Sequence, residues 1–392
     1  MRGLVFRNRE LLMPSYVPEA LPHRERELNL LESFYVDALR HVEKAYLRVV
    51  QIVGSSGTGK TCCVKKFGEN FQNKAEERHV PLKHVYMNCQ LEASNRFTFY
   101  VNLLEKISPE IATRGVSPEE MLRRLIDYLN QTKNYLLISV DDIDYFCKRC
   151  KEPLVYDLTR LNELNPGEPC PVIGVVFTAK DMSFHRTLEP AETSTLGRCI
   201  IKFPKYDSNQ IRDILNQRAE EAFVPGAVSE DVLDFISDIT ADDFNGDVRV
   251  ALDLLLYAGN LAENSQCEKV LPEHVRQVYA KTYPWITTSD IANLNETCKL
   301  ILLAIAQTLK TTGEPYISLS QIRDAYHTTC EQHDTQPVEE KEFEENVQDL
   351  CDREILRMKS LLKFGISDAP AEELYRFLDG LMTRLKSGLN EA

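Results

Sequence analysis

No stretch of the 392 residues approaches the ~18 consecutive apolar residues that a membrane-spanning helix needs. Nor is there an export signal at the start, because residues 1–10 alternate in charge around no apolar core. An intracellular protein is expected. Internal repeats and low-complexity tracts are absent as well. With 43% hydrophobic and 27% charged residues, the chain is neither a disordered tail nor a collagen-like fibre. Its length predicts two or three domains of roughly 150 residues.

A disulfide framework is missing too. The 11 cysteines are odd in number and scattered, as expected of small buried hydrophobes in a reducing compartment. Cys147 and Cys150 form the only CxxC, and no second pair or histidine stands near it at zinc spacing, so no metal is expected there. Positive charge is in short supply. There are 46 Lys and Arg against 60 Asp and Glu, a net charge of −14, which disfavours a protein that coats nucleic acid.

What the chain does contain is a phosphate-binding signature. The β-branched run 49–53 reads as a buried strand and leads directly into Gly54-Ser55-Ser56-Gly57-Thr58-Gly59-Lys60-Thr61, a GxxxxGK[ST] pattern. Its glycines allow a tight turn that aims successive N–H groups at one point, and the following helix adds a partial positive charge. Lys60 is placed to reach the β- and γ-phosphates, and the Thr61 hydroxyl to ligate Mg²⁺. Residues 54–61, with Cys62 after them, are the expected nucleotide contacts.

A second apolar run ends in acids: Tyr135-Leu136-Leu137-Ile138-Ser139-Val140-Asp141-Asp142. Asp141 is the metal-side carboxylate, and Asp142 stands where a water-activating acid belongs. Runs at 49–53, 84–88, 136–140, 172–177 and 200–203 alternate with helical patterns such as 118–129. That alternation predicts an α/β fold with a parallel sheet and a ligand at the strands' carboxyl ends. After residue 205 the pattern turns helical, with starts at Asp207 or Ser208, at Ser229, after Gly246-Asp247 and at Leu271-Pro272. From residue 290, three helical stretches (300–309, 320–326 and 338–350) precede a hairpin of 355–358 with 361–364 and a final helix at 371–385. Three helices and a hairpin make a winged helix. The expected domains are 1–205, 206–288 and 289–392.

These residues resemble the archaeal-type replication initiators, AAA+ proteins similar to both an origin-recognition subunit and its helicase-loading partner. The resemblance spans nearly the whole chain. It rests on the phosphate loop and acidic strand, on the arm from Tyr16-Val17-Pro18 to Leu21-Pro22-His23-Arg24, on Phe203-Pro204 with Tyr206, and on Gly246-Asp247-Val248-Arg249. It implies that Val17, Pro18, Leu21, His23, Arg24 and Tyr206 contact the adenine side. It also implies that Arg249 senses the γ-phosphate from the helical lid, acting with Lys60 and Asp142 in catalysis. ATP and Mg²⁺ are the implied cofactors. Duplex origin DNA and an MCM-type helicase or another initiator subunit are the implied partners, in the cytoplasm of an archaeal-type cell, at its nucleoid.

Three positions depart from that family. Asp142 replaces the usual Glu, Lys180 or Thr178 stands where an Asn senses the γ-phosphate, and Pro190-Ala191 lacks the expected Arg. A divergent paralogue that binds ATP firmly and cleaves it slowly is expected. The family's DNA contacts map to the winged helix and to an insertion near Arg114, Arg123 and Arg124, with Arg353, Arg357, Lys359 and Lys363 as hairpin candidates. Yet residues 290–392 carry 11 Lys and Arg against 19 Asp and Glu. The helix in the recognition position holds Glu339, Glu340, Glu342, Glu344 and Glu345, which oppose phosphates. Two readings therefore stand: an ATP-gated initiator that marks origins and recruits a helicase, or a nucleotide-switched regulator whose winged helix binds protein. A nucleotide kinase on the same loop leaves the lid and winged helix without a purpose.

Overall fold

The structure is a computed structural model and describes residues 5–165, 169–283, 287–366 and 368–390. It divides into two compact units, residues 17–206 and residues 207–390 with 5–16.

The first unit is built on five strands, β1 (Arg48–Val53), β2 (Leu82–Asn88), β3 (Tyr135–Asp141), β4 (Val172–Ala179) and β5 (Ile200–Lys202), in the order β2-β3-β4-β1-β5. Every pairing is parallel. The helices between them are α1 (Glu25–Tyr35), α2 (Lys60–Glu77), α3 (Cys89–Glu92), α4 (Arg96–Ile107), α5 (Pro118–Thr132), α6 (Ile143–Cys150), α7 (Leu154–Thr159) and α8 (Pro190–Thr195). Side chains alternate across a pleated strand, so the near-continuous apolar runs feed two cores. Val85, Met87, Ile138, Val140, Val175 and Phe177 face α4–α6, whereas Val50, Ile52, Leu137, Ile173 and Val176 face Tyr35, Phe67 and Phe71 of α1 and α2. The register pairs Val53 with Ala179 and Asn88 with Asp141, which brings the carboxyl ends of β1–β4 to one edge.

In the second unit, α9 (Ser208–Ala222), α10 (Glu230–Asp243), α11 (Val248–Asn264) and α12 (Pro272–Thr282) form the lid. Asp207 caps α9 through the Gln210 N–H and is matched by the Gln210 side chain, so the capping box falls on the first of the two expected residues. Residues 5–16, grouped with the nucleotide domain in the sequence-based division, belong to this unit instead. The reason is apolar: Phe6 stacks on Phe223 with ring centroids 4.5 Å apart, and the Arg7 and Val224 N–H groups bond to Ala222 and Val5 carbonyls. A Cβ on Gly259 would come within 2.4 Å of the Phe6 ring, so this docking depends on that glycine.

The remaining elements are α13 (Thr288–Ala292), α14 (Glu296–Thr312), β6 (Ile317–Ser318), α15 (Leu319–Gln332), α16 (Glu340–Asp352), β7 (Arg357–Ser360), β8 (Lys363–Gly365) and α17 (Ala371–Asn390). The strands pair antiparallel in the order β6-β8-β7, so the winged helix is present with a short extra strand that sequence patterning passed over. The expected hairpin begins two residues late. Ile355 and Leu356, read as strand, are instead buried plugs of the winged-helix core, packed with Leu350, Phe364 and Ile366.

Candidate functional site

At the end of β1 the chain turns through residues 54–59, and Gly59 enters α2 with φ 84°, a left-handed conformation that suits glycine. A Cβ there would lie 2.8 Å from the Tyr206 hydroxyl, and one on Gly54 would lie 2.6 Å from the Phe203 carbonyl. Inside the loop, Lys60 Nζ donates to the carbonyls of Gly54 at 2.6 Å and Ser55 at 2.8 Å. The Thr58 hydroxyl donates to Ser55 O at 2.9 Å. Ser55 Oγ is buried with no hydrogen-bond partner among the described residues, a polar atom left for a ligand.

Asp141, 1% exposed, receives three hydroxyls. Thr61 Oγ1 donates to Oδ2 at 2.7 Å and Tyr86 OH to the same oxygen at 2.6 Å, while Thr178 Oγ1 donates to Oδ1. Thr61 and Asp141, the expected metal ligands, thus lie side by side as hard oxygen donors of the kind Mg²⁺ takes. Asp142 follows with φ 56°, ψ 43°, a left-handed residue opening α6. Its N–H donates to Thr178 Oγ1 at 3.1 Å, and Gln90 Nε2 donates to its carboxylate at 2.9 Å. Burial and the neighbouring Asp141 and Asp144 raise the Asp142 carboxyl above its usual range, while Lys60 and Lys180 oppose that rise. Lys180 is exposed beside it, and Thr178 is fully buried.

On the other flank of the loop, Arg24 is 2% exposed. Its guanidinium donates to Thr58 O at 2.9 Å, Pro204 O at 2.7 Å and His23 O at 2.9 Å, and lies 3.8 Å from the Tyr206 ring centroid. Burial pushes the Tyr206 phenol well up, with Arg24 pulling the other way. Pro18 is buried, Val17, Leu21, His23 and Cys62 are half-buried, and Ser56 and Gly57 complete the turn. Cys147 and Cys150 lie on α6; burial pushes the Cys147 thiol to about 12 and raises Cys150 as well.

In the second unit Arg249 is exposed in the first turn of α11, where the Asp247 cap accepts its N–H at 3.0 Å. The hairpin cations are engaged with the lid. Arg357 pairs with Asp242 at 2.9 Å and with Asp243, while Lys359 pairs with Asp238 at 2.9 Å. Buried Arg276 of α12 donates to the carbonyls of Ile366, Glu314 and Pro315, binding the lid to the winged helix from the other direction. Arg353 pairs with Asp349 of its own helix at 2.8 Å. Lys363 is exposed on β8, and Arg114 is exposed in the loop before α5. Along α16, Glu340, Glu342, Glu344 and Glu345 are exposed, with Glu339 at the cap.

Residues 46–186 match the family model of the AAA domain, residues 212–280 that of the Cdc6 AAA+ ATPase-type lid domain, and residues 289–363 that of the CDC6 C-terminal winged helix domain. An ORC1-type DNA replication protein of Pyrococcus abyssi is 30% identical over 92% of this chain and 84% of its own length. The ORC1-type DNA replication protein 1 of Sulfurisphaera tokodaii is 35% identical over 80% of this chain and 78% of its own. The chain belongs to the ORC1/Cdc6 family of DNA replication proteins. Among solved structures, Cdc6p from Pyrobaculum aerophilum superposes with a TM-score of 0.84 at 26% identity, covering 97% of this chain and 99% of that one. The Aeropyrum pernix ORC1 protein, solved in complex with DNA, superposes with a TM-score of 0.64 at 29% identity, covering 98% and 100%.

For this ORC1/Cdc6-type chain, sequence reading located the loop and the acidic strand but passed over Tyr86 and Gln90. A signal was present: Asn88 pairs with Asp141, so residues near the end of β2 stand beside the carboxylates. Using it required the strand order. Of the three departures from the family pattern, Ala191 lies exposed in α8, while Asp142 and Lys180 lie together beside the loop.

Proposed function

We propose that this ORC1/Cdc6-type protein binds ATP with Mg²⁺ at the loop 54–61, hydrolyses it slowly as a switch, recognises origin duplex DNA and helps to recruit or load a replicative helicase at the nucleoid. One observation carries the nucleotide reading. The Thr61 hydroxyl and the Asp141 carboxylate meet at 2.7 Å at the mouth of a loop whose buried Ser55 hydroxyl has no partner among the described residues. These residues fit the cofactor the fold family implies, with Thr61 and Asp141 to hold Mg²⁺ and Lys60 to hold phosphate. Bound there, Mg²⁺ supplies charge neutralisation at the phosphates. Asp142, raised in basicity and held by Gln90, accepts a proton from water. Its side chain is one methylene shorter than the family's Glu, which supports slow turnover. Arg249 is assigned the sensing of the γ-phosphate, and Arg24 and Tyr206 the support of the adenine side.

The DNA reading is supported by family membership and by the DNA complex of the Aeropyrum pernix relative. A second reading, a nucleotide-switched regulator of an initiator or helicase, is favoured by a specific observation. The hairpin's Arg357 and Lys359 are already neutralised by lid aspartates, and the recognition-position helix presents glutamates. Titration of a fluorescent ATP analogue against wild type and Lys60→Ala tests the first half, with loss of binding expected; unchanged affinity refutes the site. Duplex affinity at two salt concentrations tests the second half. Binding with a clear salt slope supports the initiator, and binding confined to very low salt supports the regulator.

A further inference from the structure

We infer that Tyr86 is a positioning residue for the metal-side carboxylate Asp141. The inference rests on the nucleotide reading of the loop and extends it to a residue on the edge strand, outside the phosphate-binding motif.

The geometry is specific. Asn88 of β2 stands opposite Asp141 of β3, and Tyr86, two residues earlier, shares the Asn88 side of the strand. From there its hydroxyl reaches Asp141 Oδ2 at 2.6 Å, the same oxygen that accepts from Thr61 at 2.7 Å. The other oxygen, Oδ1, accepts from Thr178 on β4. The carboxylate is therefore gripped from both neighbouring strands, β2 through Tyr86 and β4 through Thr178. The tyrosine ring is itself fixed. Lys65 of α2 lies 4.6 Å from its centroid, and Asn88 Nδ2 donates to its hydroxyl at 3.4 Å.

A carboxylate that serves a hard cation must present one oxygen at a set place, and rotation about its last side-chain bond carries that oxygen away. A hydroxyl that donates its proton keeps two lone pairs, so the Thr61–Asp141 bond is compatible with a cation on Thr61 Oγ1. Tyr86 then supplies the restraint that the phosphate-binding motif itself lacks. Thr178 cannot isolate this effect, because it also accepts the Asp142 N–H at 3.1 Å and its removal disturbs both acids. Tyr86→Phe removes one hydroxyl and retains the ring.

The test uses the full chain. Binding of a fluorescent ATP analogue is followed while Mg²⁺ is titrated, in wild type and Tyr86→Phe. Both are also measured in EDTA for nucleotide affinity and thermal unfolding. The expected result is a half-saturating Mg²⁺ concentration about tenfold higher in Tyr86→Phe, the usual size of an outer-shell effect, with nucleotide affinity in EDTA unchanged and the melting temperature lowered by the loss of one hydrogen bond to a buried carboxylate. An identical Mg²⁺ dependence in the two proteins overturns the inference and leaves the nucleotide site standing. A lowered melting temperature in EDTA with an unaltered Mg²⁺ dependence also overturns it, since Tyr86 then acts through packing. If wild type binds the analogue without any response to Mg²⁺, the reading of Thr61 and Asp141 fails first, and this inference fails with it.

Discussion

Lys359 of the wing lies 2.9 Å from Asp238 of the lid, and both belong to a contact in which Arg357, Asp242, Asp243 and Tyr316 also take part. A cation engaged in this way is not free to release counterions from a duplex. Arg357→Met should therefore destabilise the unit of lid and winged helix, by about 2 kcal/mol, because it removes a mostly buried cation from Asp242 and leaves Asp243 with the Tyr279 hydroxyl at 2.8 Å in place of its ion pair. It should leave the salt dependence of any duplex binding unchanged. Arg114→Ala and Lys363→Ala, which remove exposed cations, should each lower the slope of log affinity against log salt by about one. Denaturant unfolding together with duplex titrations at several salt concentrations checks both statements, and a slope that falls only in Arg357→Met contradicts the assignment.

Hydrolysis should be slow. Enzymes turn over at a median of about 10 s⁻¹, and a catalytic group misplaced by about 1 Å costs on the order of 10²-fold, which gives roughly 0.1 s⁻¹ or less. Asp142→Glu restores the longer side chain, and its rate should rise severalfold above wild type. Asp142→Asn should abolish hydrolysis while retaining nucleotide binding. A steady-state phosphate-release assay on the three proteins is sufficient, and an Asp142→Asn rate equal to wild type removes Asp142 from the chemistry.

The loop 54–61 and the strand ending in Asp141 were legible because their chemistry is local: a tight turn, a helix start and a buried strand leave marks in consecutive residues. The order of the sheet leaves no such mark. Tyr86 and Thr178 meet Asp141 only because β2 and β4 flank β3, so neither could be assigned to it from spacing. The lid's grip on Arg357 and Lys359 leaves no mark for the same reason, since partners more than 100 residues apart in sequence share no pattern; Arg357 and Asp242 are separated by 115. The two-residue error at the hairpin has another origin. Ile355 and Leu356 are apolar enough to read as strand, but after α16 the core still needed filling, and they fill it.

His84 on β2 provides a pH test. Burial against α2 lowers its pKa from 6.5 to about 4, and its Nε2 lies 2.8 Å from Ser139 Oγ. The folded protein therefore holds fewer protons here than the unfolded chain between these two values. The contribution is fully present above pH 6.5 and is lost as pH falls toward 4, reaching about 3 kcal/mol. His84→Gln keeps a hydrogen-bonding group and does not titrate. Plotted against pH, its stability should fall less steeply than that of wild type between pH 6.5 and 4. Parallel curves from denaturant unfolding contradict the placement of His84 in that site.

Arg24 offers the sharpest separation of charge from shape. Among the described residues its bonds go to carbonyls, those of Thr58, Pro204 and His23, and its face lies on Tyr206 and, at 5.3 Å, on Phe203. Only a planar fork with several donors satisfies carbonyls on three segments while stacking on a ring. Arg24→Ala strands the Thr58 carbonyl beside the phosphate loop and should cost about 3 kcal/mol, near 8 °C in melting temperature for a unit of this size. Arg24→Lys should recover little of that, because an ammonium can reach one carbonyl or the ring but not the set. Since Thr58 precedes Gly59 and Lys60 in the loop, nucleotide affinity should fall in both variants. A lysine variant with wild-type melting and wild-type ATP affinity would show that a single positive charge is enough, and that the fork's geometry contributes nothing to the loop.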